Sequence, residues 1–206
     1  IKAQILKTNF NIPRTKTASV VLVEKVYDLI GAIIASIIGI IILELEIYLI
    51  LFAILVLALI FFFMYYKPAF ELFLGKISKT KFFSKYTENI SESYEIIKKI
   101  TTPKVAIRSI FLSITYWFIV STAVYYTLLA FGLDILNYLM VLSIFTTSTI
   151  LGAITFIPGG IGVTEGTIAG LFVLEGIHMS TALVLSVLIR IVTLWYNVGI
   201  GFIALK

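Results

Sequence analysis

An all-α, polytopic helical membrane protein, with about five spanning helices and one re-entrant or broken half-helix, is the fold class this chain predicts. Three observations predict it. Of its 206 residues 60% are apolar and only 13% charged, too little polar surface for a water-soluble domain. Uncharged runs at 29–43, 47–66, 109–133 and 135–164 suit helices, which need about 20 residues to cross roughly 30 Å of hydrocarbon. None of these runs alternates polar and apolar side chains as a barrel strand does.

The first run qualifies once Val20 to Asp28 supplies its opening turns, and the second, third and fourth are long enough unaided. Two further apolar runs flank Arg190. Basic residues gather on one side: Lys2, Lys7, Arg14 and Lys16 precede the first span, and Lys67 to Arg108 holds nine more. The opposite turns carry only Glu44, Glu46 and Asp134. The positive-inside rule therefore predicts a multi-pass protein of the cell membrane, with residues 1–19 and 67–108 cytoplasmic and the turns near 44–46 and 132–136 outside. In the 67–104 connection, Phe70, Leu72, Phe73 and Ile77 interleave with lysines. That pattern fits amphipathic helices on the inner leaflet, or a solvated helical hairpin. The basic balance follows from topology, and no nucleic-acid motif accompanies it.

With no cysteine and one histidine, His178, the chain offers no thiolate or histidine metal cluster and no cysteine nucleophile. No metal or cofactor is expected. No cleavable signal peptide is visible before the polar opening at Ile1, and the true start is expected upstream.

The most informative stretch is FIPGGIGVTEGTIAGLF at 156–172. A helix over the whole 135–164 run would reach about 45 Å, too long for one crossing without large tilt. Pro158, Gly159, Gly160 and Gly162 are the obvious breakers. Thr164 then reads as an N-cap, with Glu165 in the first turn of a half-helix running to Gly176, about 18 Å long. Unwound backbone at membrane depth must be buried in protein or line a wet cavity, where free N–H groups suit an anion such as phosphate. A plain surface turn is the other reading.

From Ser180, a good N-cap, one helix is expected to reach Leu205, which puts Arg190 about 15 Å along it, near mid-bilayer. A cation there should face an interior partner or a water path, and Glu165 and Glu175 are the nearest acids in sequence. Such a pair either lines a site or only locks helices together. Glu24, Lys25 and Asp28 open the first span; they line the mouth of a cavity or are ordinary interfacial charges.

PGGIGVTE at 158–165, Arg190 followed by Thr193, Trp195 and Tyr196, and NIPRTKTASVVLVEKVYD at 11–28 resemble the flippase-like membrane domain of lysylphosphatidylglycerol synthase. The resemblance covers essentially the whole chain, 1–206, as a single transmembrane domain lacking its N-terminal part. It implies lipid translocation. Where the family usually has Glu-Arg, this chain has Glu24 and Lys25, losing the planar fork that grips phosphate. No soluble aminoacyl-transfer domain is present, so the synthase reaction is not implied.

A weak echo at an offset of 165 pairs Ile12 with Ile177, Leu22 with Val187, Lys25 with Arg190 and Asp28 with Thr193. It would make Lys25 and Arg190 equivalents in a duplicated transporter.

The expected function is translocation of a lipid with an anionic or phosphorylated headgroup. The head would be held by Pro158, Gly159, Gly160, Gly162, Thr164, Glu165 and Arg190, with Glu24, Lys25 and Asp28 at the mouth. Membrane lipids are the expected partners, and no motif sets the oligomeric state. The alternative is a membrane enzyme acting on a lipid-linked phosphate, with Glu24, Asp28 or Glu165 as acid or base, although no nucleophile is evident.

Overall fold

A computed structural model describes residues 14–42, 55–59, 62, 66–69, 72, 97–99, 101–155 and 157–204. The described residues are helical, without a strand, as the sequence predicts. The elements are α1 (Arg14–Ile42), α2 (Pro103–Ala130), α3 (Tyr138–Ile154), a 3-10 turn (Pro158–Gly160), α4 (Val163–Leu174), α5 (Met179–Arg190), a π segment (Ile191–Trp195) and α6 (Tyr196–Ala204). The basic segment at 1–13, the turn at 44–46 and most of the 47–66 span and 67–104 connection lie outside the described residues.

Among the described helices, Pro103–Ala130 and Met179–Ile203 are long and apolar enough to cross a membrane, at 28 and 25 residues. Tyr138–Ile154 and Pro158–Leu174 are shorter. The chain forms two compact units, residues 1–30 with 52–112, and 31–51 with 113–206.

In the first unit, Thr17, Val23, Tyr27 and Ile30 of α1 are buried while Glu24 and Lys25 are exposed. The start of α2 is set by Thr102, whose Oγ1 accepts from the Val105 N–H at 3.3 Å, and by Pro103, whose missing N–H costs nothing at a first helical position.

The second unit has apolar side chains on its outside as well as in its core. On α2 the buried stripe is Ser113, Trp117, Ser121, Val124 and Leu128, at helical spacing, whereas Ile119 stands 65% exposed and Tyr126 64%. Apolar side chains outside and hydroxyls inside suit a lipid solvent, not water. Several interior hydroxyls are satisfied by their own helix: Thr146 Oγ1 donates to Leu142 O at 2.7 Å, Ser148 Oγ to Ile144 O at 2.7 Å and Ser186 Oγ to Leu183 O at 2.8 Å. Ser36 Oγ and Thr147 Oγ1 instead join α1 to α3 at 2.9 Å.

Trp117 and Phe145 meet with ring centroids 5.9 Å apart in a core that also holds Leu142, Phe172, Leu185 and Ile189. Two glycines terminate helices so that this core can close. At Gly132 (φ 72°) the Leu133 N–H reaches back to Leu128 O, and at Gly176 (φ 88°) the Ile177 N–H reaches Phe172 O. Both are Schellman ends, with buried Leu128 and Phe172 beneath. Asn137 opens α3, its Oδ1 accepting from the Met140 N–H at 2.9 Å.

Candidate functional site

The long uncharged run breaks where the glycines predict it. α3 stops at Ile154, and Thr155 Oγ1 donates to Gly152 O at 2.7 Å, satisfying one of the last carbonyls. Ile157 is extended, Pro158 to Gly160 form one 3-10 turn, and α4 begins at Val163. Gly159, Gly160 and Gly162 have φ of 70°, 62° and 86°, the left-handed region that costs L side chains strain. Gly160 is needed for space as well, since a Cβ there would sit 3.0 Å from Gly152 Cα and collide with Thr164.

The start of α4 differs from the expected cap. Gly162, not Thr164, is the N-cap residue, and Thr164 is buried in the second helical position against Gly152 and Gly160. A side chain packed into that contact is unavailable as a cap. Glu165 caps in its place, its Oε2 accepting from the Gly162 N–H at 2.6 Å, and it lies in the first turn as the sequence predicts. The half-helix runs 12 residues, about 18 Å, ending at Leu174.

Arg190, 5% exposed, closes the last turn of α5. Its Nε–H donates to Glu165 Oε1 at 2.8 Å, and an Nη2–H donates to the carbonyl of Gly159. One side chain thus ties α5 to both the unwound turn and the start of α4. Glu165 is the partner, while Glu175 lies exposed just beyond the far end of α4. Leu194, one turn past Arg190, reaches the same turn: a Cβ on Gly159 would lie 3.4 Å from its Cδ2.

The helix from 180 to 205 is not uniform. α5 starts at Met179 with His178 as N-cap, and Ser180 bonds His178 Nδ1 at 2.9 Å and does not cap. Directly after Arg190 the backbone widens into five π residues, with the Tyr196 N–H reaching Ile191 O. Thr193 Oγ1 donates to Ile189 O at 2.8 Å, and Asn197 Nδ2 donates to Thr193 O at 2.8 Å. These side chains supply donors to carbonyls in and around the wide turn. Such bulges recur at functional sites, and sequence reasoning missed this one. Its only trace is a hydroxyl and an amide four residues apart in an apolar helix.

Of the other predicted residues, Lys25 and Asp28 form an exposed pair with Nζ 3.4 Å from Oδ2, in the first unit. The Lys25 side chain is 70% exposed and that of Arg190 7%, so the two positions linked by the 165-residue echo have unlike surroundings.

A helical chain with hydroxyls inside, apolar side chains outside and a buried arginine on an unwound turn is an integral membrane protein with a broken helix. The chain belongs to the family of the lysylphosphatidylglycerol synthase TM region, whose model matches residues 1–201. It is 30% identical over 92 residues to a UPF0104 membrane protein of Methanothermobacter thermautotrophicus, covering 45% of this chain and 27% of that protein. A second UPF0104 membrane protein of the same organism is 28% identical over 94 residues, 46% of this chain and 28% of its own length. Each match thus spans little more than a quarter of the relative. No solved structure matches the chain.

Proposed function

We propose that the chain is a lipid translocase whose cargo carries an anionic or phosphorylated headgroup. The head passes the Pro158–Gly162 turn and Arg190 while its acyl chains stay in lipid. The observation that carries this reading is the buried Arg190 guanidinium bonded to the carbonyl of Gly159 in the unwound turn. A charged head crosses hydrocarbon only at great cost, and a polar break in a membrane helix lowers that cost. Within this reading Gly159, Gly160, Gly162, Glu165 and Arg190 form the headgroup region, Pro158 sets the turn, and Thr164 holds its packing. Residues 1–19 and 67–108 face the cytoplasm in this reading.

The test is translocation of acyl-labelled fluorescent phospholipid by the full-length protein in liposomes, read by dithionite quenching. Transport above protein-free vesicles, slowed at least about tenfold by Arg190→Ala, is expected. Equal rates for variant and parent would refute it.

One observation favours a second reading, a purely architectural lock: both oxygens of Glu165 are engaged. The two readings part on Arg190→Gln combined with Glu165→Gln. If that protein folds and translocates at the parental rate, the pair is only a lock.

A further inference from the structure

We infer that the headgroup taken by this site is zwitterionic, a phosphate together with an ammonium, and not a net anion. This rests on the translocase reading and goes past it by fixing the charge of the cargo.

The carboxylate beside Arg190 decides the matter. With Glu165 Oε1 at 2.8 Å from Nε, the guanidinium charge is balanced before any ligand arrives. Glu165 is also held at its other oxygen by the Gly162 N–H at 2.6 Å, so turning it away would break the ion pair and uncap α4 together. A net anion entering here would either meet a fixed carboxylate or have to expel it. Both cost free energy where charges are poorly solvated.

A fixed pair of opposite charges is instead complementary to a second pair laid against it head to tail. Arg190 keeps donors for a phosphate, since Nη1 makes no hydrogen bond among the described residues. Glu165, with its side chain 20% exposed against 7% for Arg190, is the more accessible of the two and keeps lone pairs for an ammonium. Phosphate on the guanidinium and ammonium on the carboxylate add no net charge to the buried site. A phosphoethanolamine-type head, with two carbons between its charges, has this chemistry.

The experiment uses the full-length protein in liposomes with phosphatidylethanolamine and phosphatidylglycerol bearing the same fluorescent acyl chain. Phosphatidylethanolamine should cross faster by on the order of tenfold, and Glu165→Gln should bring the two lipids to parity or reverse them, while Glu165→Asp keeps the preference. Phosphatidylglycerol crossing as fast as, or faster than, phosphatidylethanolamine in the parent overturns the zwitterion inference and leaves translocation standing. Neither lipid crossing above protein-free vesicles overturns both. A preference unchanged in folded Glu165→Gln overturns its assignment to this pair. Should that variant fail to fold, the comparison of lipids in the parent still decides.

Discussion

Arg190 Nε and Glu165 Oε1 lie 2.8 Å apart, joining the last residue of one helix to the first turn of another across 25 residues of sequence. Removing the cation alone leaves a carboxylate short of its partner in a poorly solvated setting. Arg190→Ala should therefore destabilise the detergent-solubilised protein by ~3 kcal/mol or more, and the double change with Glu165→Gln by clearly less than the sum of the singles. Thermal unfolding of the four proteins measures the coupling. Strict additivity would mean that the two groups do not interact.

Gly160 and Gly162 share a left-handed backbone but not their surroundings. A Cβ at Gly160 meets Gly152 and Thr164, whereas one at Gly162 meets nothing within 4 Å. Gly162→Ala should cost only its backbone strain, about 1–2 kcal/mol, and Gly160→Ala distinctly more. Comparing melting temperatures tests the order, and equal losses would mean that the close approach to α3 is absent.

Gly152 supports the same contact from the α3 side, because a Cβ there would collide with Thr164 Oγ1. Gly152→Ala should destabilise by about 2 kcal/mol, and Thr164→Ala added to it should recover part of that loss, since the remaining Cβ at 164 sits at an ordinary 3.4 Å. Failure of this second change to rescue would place the strain elsewhere.

The π segment depends on borrowed donors. Thr193→Val and Asn197→Ala should each lower stability by about 1 kcal/mol by removing hydrogen bonds to Ile189 O and Thr193 O. Stability unchanged in both would show that the wide turn holds itself.

What could be read from sequence follows from which forces act locally. The break near Pro158 was legible because glycines at left-handed positions and an overlong apolar run are local signals. Arg190 demanded a partner, and Glu165 was one of two acids near enough in sequence. Choosing between them took the tertiary path of the turn, which points the start of α4 at Arg190 and its far end away. The caps were misplaced for the same reason: Thr164 and Ser180 have good capping chemistry, but Thr164 is committed to Gly152 and Ser180 to His178. The π segment left hydropathy unchanged, so an apolar pattern could not reveal it.

The most direct test of the central claim, that polar backbone and a buried cation meet within the hydrocarbon layer, is paired accessibility by spin label. The chain has no native cysteine, so Ile161→Cys on the turn and Val187→Cys on the outward face of α5, one turn before Arg190, can be labelled singly. The account expects the label at 187 to collide with oxygen and not with a water-soluble nickel complex, and the label at 161 to collide readily with the nickel complex. Nickel access at both sites would make the turn an ordinary surface loop, and its absence at 161 would leave the break dry; either result contradicts the account.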